Sequence, residues 1–169
     1  QQPKILEVAC WAHARRKFFD VAKAAEKNGQ RVLAHEAVEY IGELFAIERA
    51  ATDAGDDPRQ RHARRRAQAT PILDKINAWC DEKLGDLLPK SPTAGAINYV
   101  LKNWGAFTRY LDDGRIAIDN NAAERALRPI TLGRKNWLFA GSNRGGDACA
   151  IAMSLIATAK AHGHDPMAY

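Results

Sequence analysis

Glu124 and Arg128 stand four residues apart in the densest polar stretch of the chain, Asp119-Asn120-Asn121-Ala122-Ala123-Glu124-Arg125-Ala126-Leu127-Arg128-Pro129. On a helix this spacing places both on one face. A carboxylate able to hold a divalent cation then sits beside a guanidinium able to hold phosphate. One carboxylate is not a metal site, and the same residues admit a structural reading. Asn121-x-x-Glu124 has the spacing of a reciprocal helix cap, worth about 0.5 to 2 kcal/mol for the cap alone. Just beyond, Gly133-Arg134-Lys135-Asn136 reads as a short basic loop before Trp137. Its functional reading puts Arg134 or Lys135 near a phosphate and Trp137 near a nucleic-acid backbone.

Three further groups have the residue types for chemistry. Cys10 and His13 share the Cys-x-x-His spacing of metal ligands, but Cys80, Cys149, His162 and His164 are scattered and supply no second pair. Cys10 is therefore expected to face the core. His13, Arg15, Arg16 and Lys17 form a basic helical group that either touches phosphate or is solvated. Arg59, Arg61, Arg64, Arg65 and Arg66 crowd into one short run. That run is either a solvated face partnered by acids such as Asp53, Asp56 and Asp57, or an arm that grips phosphates, and composition does not separate the two.

Helices must position these groups. Trp11, Ala14, Phe18, Val21, Ala22 and Ala25 recur at three- and four-residue steps, which predicts an amphipathic helix stopped by Gly29. Leu33, Ala37, Ile41, Leu44, Phe45 and Ile47 predict a second, ended near Gly55. Asp57-Pro58 supplies a cap and a proline at the first helical position for a third. Pro71 is expected to kink or split it, ahead of a stripe through Ile72, Leu73, Ile76, Trp79, Cys80, Leu84 and Leu87. Ser91-Pro92 repeats the cap signature for a fourth helix through Ile97, Val100, Leu101, Trp104, Phe107 and Leu111, stopped by Asp112-Asp113-Gly114. Trp79 and Trp104 thus fall on core stripes rather than on a base-stacking surface. A further helix should run from about Ala122 toward Leu132 despite Pro129. A last one is expected after Gly145-Gly146 through Ala159 to a stop at Gly163, with Asp165-Pro166 opening another. The strand candidates are Ile5 to Cys10, an apolar run that would need a partner in the chain or in a second copy, and, more weakly, Trp137 to Ala140. Two short strands against six or so helices make the fold class mainly α.

The 169-residue length suits one domain, and 46% hydrophobic with 27% charged residues excludes wholesale disorder and collagen-like architectures. No apolar run reaches bilayer-spanning length, and the first residues lack the order of a signal peptide, so a soluble protein is expected. A start at Gln-Gln-Pro-Lys, without Met, and the curtailed helix at Asp165-Pro166 suggest a piece of something longer. Three unpaired cysteines fit a reducing cytoplasm. Lys plus Arg number 25 against 20 Asp plus Glu, a net charge of +5, and the pI is near 9.2. That balance favours polyanionic partners.

Three strings carry a resemblance: CWAHARRKFFD at Cys10 to Asp20, LDDGRIAIDNNAAERALRP at Leu111 to Pro129, and GRKNWLFAGS at Gly133 to Ser142. They resemble the C-terminal part of the transposases of the IS66 insertion-sequence family, and the likeness covers nearly the whole chain. It implies a DDE-type enzyme with a ribonuclease H-like fold, in which two Asp and one Glu hold Mg²⁺ or Mn²⁺ for strand cleavage and transfer during DNA transposition and recombination. By that resemblance Glu124 is the third carboxylate, catalytic and metal-binding. The two Asp would lie upstream of CWAHARRKF, so this chain lacks them and is expected to be inactive alone. Asp112, Asp113 and Asp119 do not correspond to them, and Asp119 is read as a loop or cap residue. The residue patterns and the resemblance together give a single unit over 1–169, a helical fragment of a ribonuclease H-like domain with one or two short strands: a strand at 5–10, a helical insertion over 11–111, the Glu124 segment over 115–142 and C-terminal helices over 145–169. The resemblance further implies transposon-end and target DNA as partners and a bacterial cytoplasmic location, while pairing of the 5–10 strand with a second copy would make a homo-oligomer. Arg15, Arg16, Lys17, Arg125, Arg128, Arg134 and Lys135 are the DNA-contacting candidates. The alternative is a non-catalytic helical DNA-binding or assembly module.

Overall fold

The computed structural model describes residues 5–137 and 141–168, and of 134–137 the backbone only. The described residues are mainly helical, as the periodicity predicts, and contain no strand. The chain divides into two compact units, Gln1–Asn120 and Asn121–Tyr169.

In the first unit, α1 (Trp11–Glu26) packs on α2 (Leu33–Asp53) and on α5 (Pro92–Lys102), and α4 (Thr70–Leu84) packs on α2 and α5. The predicted stripes are the surfaces that meet. Trp11, Phe18, Ile41, Leu44, Leu73, Ile76, Ile97, Val100 and Phe107 are all buried in one cluster. Each such side chain contributes roughly 1.5 to 3 kcal/mol by leaving water. Trp11 anchors the cluster: its ring lies 4.7 Å from that of Phe107, and its Nε1–H donates to the Phe107 carbonyl at 3.0 Å. Trp79 is buried too, with its Nε1–H donating to Glu36 at 2.9 Å. Cys80 lies in the same core, where burial, and secondarily Asp81, pushes its thiol up to about 12. Such a thiol is chemically inert at neutral pH.

The stop and cap residues act as their types dictate. Gly29 and Gly55 adopt φ of 67° and 70°, the left-handed conformation that ends α1 and α2 at little steric cost. The Asp57 carboxylate accepts from the Arg59 and Gln60 amides at 2.8 Å and starts α3 (Pro58–Arg64). Ser91 Oγ accepts from the Ala94 amide at 3.2 Å and starts α5. The split expected at Pro71 takes the form of a π-helical turn, Arg65–Ala69, between α3 and α4. A proline at the second position of α4 has no amide to donate back into the preceding turn, and the wider turn absorbs the mismatch.

Several expectations need correction. Residues 5–10 are not a strand. They carry no regular secondary structure; the Ala9 amide donates to the Ala106 carbonyl at 3.0 Å, and Arg109 donates to the Glu7 carbonyl. Ile5 is 94% exposed, so the apolar run does not mark burial. The second strand candidate, 137–140, begins on the last residue of a helix and otherwise lies outside the described residues. The fourth predicted helix breaks at Asn103, whose side chain donates to the Tyr99 carbonyl at 2.7 Å. The chain resumes as α6 (Trp104–Thr108) and a 3₁₀ turn (Arg109–Leu111). A side-chain amide that competes for backbone carbonyls is the physical reason.

The second unit holds α7 (Asn121–Trp137) and α8 (Asn143–Ala161). α7 runs through Pro129, as expected, and extends past Leu132. α8 begins before Gly145-Gly146 because Ser142 caps it, accepting from the Gly145 amide at 3.0 Å. Asp165-Pro166 opens a turn rather than a helix, with the Met167 amide bonded to the Asp165 carboxylate at 2.9 Å. Among the described residues no helix is long and apolar enough to cross a membrane.

Candidate functional site

Asp119-Asn120-Asn121 ends a loop and starts α7, so Glu124 falls in the first turn of that helix with its side chain exposed. The positive end of the helix dipole favours a carboxylate there. Arg128 lies one turn further along the same helical face, and Arg125 follows Glu124 directly; both are exposed. Leu127, Ile130 and Leu132 are exposed as well. The backbone of 133–137 continues α7 instead of forming the expected basic loop. The side chains of Arg134, Lys135 and Trp137 lie outside the described residues.

The loop before α7 is fixed step by step from its start. Asp113 accepts from the Arg115 amide at 2.8 Å and from its guanidinium at 3.0 and 2.5 Å, and the Ile116 amide donates to the Asp113 carbonyl at 3.1 Å. Ile118 is buried, and its carbonyl accepts from the Trp11 amide at 3.1 Å. The Asn120 amide then donates to Cys10 Sγ at 3.3 Å. Cys10 is thus an anchor for this loop, and no group of three or more His, Cys, Asp or Glu side chains among the described residues is placed to hold a metal ion. The carboxylate that Glu124 offers does not by itself make a metal site.

The Arg115 side chain, more than any other group, holds the Asp113 carboxyl down at about 2. A carboxyl depressed from the ordinary value near 3.9 adds stability above that value, and the addition is lost as pH falls through about 2. Urea-unfolding midpoints should therefore fall from about pH 4 toward pH 2, and less steeply for Asp113→Asn. Equal slopes for the two proteins would remove Asp113 from the account.

The basic candidates separate. On α1, Arg16 and Lys17 are exposed while Arg15 is half-buried. Arg15 lies 5.8 Å from the Phe19 ring centre and Lys17 lies 4.7 Å from that of Tyr99, so aromatic faces steady two of the three cations. Three arginines of α3 and the π turn are paired with acids, and one of them is buried. Arg64 grips Asp56 with bonds of 2.6 and 3.1 Å, and Arg61 reaches Glu48 at 3.1 Å. Arg65, only 1% exposed, holds both Glu48 oxygens at 2.7 and 2.8 Å. Of the acids expected as partners, Asp56 serves; the other partner is Glu48, which lies outside that expected set. Its sequence signal is its place on a helical stripe with Ile41, Leu44 and Ala51, since a carboxylate on a core stripe needs a buried cation.

Comparison with known proteins agrees with the resemblance. The model of the transposase IS66 family matches residues 1–148. The chain is similar to the uncharacterized protein y4hP of Sinorhizobium fredii (strain NBRC 101917 / NGR234), 40% identical over 168 residues that make up 95% of this chain and 30% of that protein. It is also similar to the uncharacterized protein y4qI of the same organism, 39% identical over 94% of this chain and 28% of that protein. The chain thus spans less than a third of the length of these curated relatives. No solved structure matches. A family match over residues 1–148, which takes in the basic start of α1, the anchored loop and the Glu124 helix, places this chain in the IS66 family of transposases.

Proposed function

We propose that this chain is the C-terminal part of a DDE-type transposase catalytic domain of ribonuclease H-like fold, contributing Glu124 to a divalent-metal site whose two Asp come from outside the chain. The observation that carries the reading is an exposed carboxylate in the first turn of α7, on a family-matched stretch, with Arg125 and Arg128 beside it. Mg²⁺ or Mn²⁺ would supply charge stabilisation at the scissile phosphate, and such sites take their carboxylates from several elements. Transposon-end and target DNA are the proposed partners of the whole protein, which we take to act as a homo-oligomer in the bacterial cytoplasm. The exposed cations of α1, Arg16 and Lys17 with Arg15 beside them, are the proposed phosphate contacts of the first unit. Arg134 and Lys135 belong to the same proposal for the second.

The reading assigns this chain DNA binding without cutting. Its affinity for duplex DNA should fall steeply with salt, by roughly 0.9 in log K per log unit of salt for each phosphate neutralised. Arg16→Ala with Lys17→Ala should flatten that slope by about two contacts' worth. Fluorescence anisotropy at two salt concentrations measures both. Absence of binding at the lower salt, or an unchanged slope in the double variant, would take the phosphate contacts away from α1.

A further inference from the structure

Four helices of the first unit close a ring. α1 packs on α2 and α5, and α4 packs on α2 and α5, so the α1/α5 pair lies across the bundle from the α2/α4 pair. Charge divides along the same line. α1 and α5 together carry five Lys and Arg against two acids, whereas α2 and α4 carry three against eight. Pairing inside the fold does not remove the contrast. Glu48 on α2 is taken by Arg65 at 2.7 and 2.8 Å, yet seven acids of that pair remain. Of the two acids of α1, Glu26 lies 3.3 Å from His35 of α2, which leaves Asp20 among the exposed cations Arg16, Lys17 and Lys23. Two sides of opposite sign on one small body select a partner by its charge: a polyanion is drawn to the first and repelled by the second.

The seam between α1 and α5 brings cations of both helices together. Lys17 of α1 holds its ammonium 4.7 Å from the ring centre of Tyr99 of α5, and that ring stands edge-on to Phe107 at 5.7 Å. The contact crosses from one helix to the other and pre-orders an exposed lysine, whose side-chain freedom would otherwise be lost on binding. Lys102 lies one turn beyond Tyr99, exposed, on a helix whose sequence holds no acid. Gly95 of α5 is exposed too, and an added methyl group would meet nothing within 4 Å, so the fold makes no use of the missing side chain. A helix surface bare at that point lets a phosphate backbone come close.

We propose that duplex DNA lies along the α1/α5 side of the bundle, where Lys102 joins Lys17 on the phosphate backbone, and that the α2/α4 side faces away from it. This deepens the DNA-binding role proposed above and rests on it. The exposed cations of the arginine run, Arg59 and Arg66, belong to α3 and the π turn, which pack on α2, and so to the side turned away.

A matched pair of charge substitutions in this chain tests it. Gly95→Glu puts a carboxylate on α5 and Gly42→Glu puts one on α2; an added β-carbon at either position meets nothing within 4 Å, and both changes trade glycine for a better helix former. The two variants carry the same net charge, so a difference in DNA affinity reports the side of the bundle alone. Fluorescence anisotropy with a labelled duplex at low salt should show Gly95→Glu binding about tenfold more weakly than the parent and Gly42→Glu within about twofold of it. Lys102→Ala, at an exposed position, keeps the test open should either glutamate variant fold poorly. It should flatten the plot of log K against log salt by about 0.9, one phosphate's worth, while Arg59→Gln with Arg66→Gln should leave the slope unchanged. Equal losses or no loss in the two glutamate variants, or the greater loss in Gly42→Glu, would overturn the assignment with DNA binding intact. A slope that flattens in the Arg59 and Arg66 variant and not in Lys102→Ala would do the same, by moving the DNA to the α2 side. A parent chain that binds no duplex at the lower salt would sink the DNA-binding reading itself, and this inference with it.

Discussion

Glu124→Gln in the whole transposase is expected to lower strand cleavage by on the order of 10³-fold, the size of loss seen when one preorganised group at a reacting centre is removed. Gln keeps the shape and the hydrogen-bonding oxygen but not the charge. A residue that only favours the positive end of α7 would cost about 0.3 to 1 kcal/mol when neutralised and would leave chemistry nearly normal. The two roles therefore predict different outcomes. Melting temperature and duplex-DNA affinity should change little, because the side chain is exposed. Cleavage at near-normal rates would reduce Glu124 to a helix-terminal residue. This chain alone should cut DNA with neither residue. Cleavage by the chain alone, abolished by Glu124→Gln, would show that its own Asp residues complete a site and that the missing pair has been wrongly placed upstream.

Signals that act over a few residues were legible, and signals that depend on a distant partner were not. Asp57-Pro58 and Ser91-Pro92 start helices because a side-chain oxygen satisfies an amide two or three residues on, and nothing else in the fold is needed. The stripe from Trp11 to Ala22 fixed which face of α1 is buried for the same local reason. Ile5 to Cys10 shows the limit: apolar residues in a row say that burial would be favourable, but a strand also needs a neighbour, and here the neighbour is the carbonyl end of α6. Gly145-Gly146 looks like a helix boundary, but Ser142 three residues before Gly145 supplies the cap. The arginine run failed differently. Its partners, Glu48 and the carbonyls of Tyr110 and Asp113, lie far away in sequence, and only the fold shows that Arg65 faces inward. Glu124 was singled out by resemblance, since spacing alone left a helix cap as good a reading.

Gly114→Ala is expected to destabilise the first unit by about 3 kcal/mol or more, at or beyond the upper end of what overpacking usually costs. The sequence presents this glycine as the stop after Asp112-Asp113, a role many residues fill. The structure gives it another. A methyl group here would sit 1.9 Å from the Pro58 carbonyl oxygen and 2.8 Å from its carbon, so two stretches of backbone touch where no side chain fits. Neither can retreat freely. Pro58 opens α3, which the Asp57 carboxylate caps with two bonds of 2.8 Å, while the carbonyl next to Gly114, that of Asp113, is held by Arg65 at 3.0 Å. A shift of the loop would break the same bonds that lead on to Ile118 and Asn120. Against a total stability of about 5 to 15 kcal/mol, such a loss is a large fraction. Gly95→Ala is the matching control, because it lies within α5 with nothing within 4 Å of the added carbon. That change should stabilise by about 0.5 to 1 kcal/mol through helix propensity. Urea midpoints of the two variants should move in opposite directions. A Gly114→Ala protein as stable as the parent would mean that the loop yields at little cost, and the anchoring assigned to residues 112–120 would then have to come from Ile118 and Cys10 alone.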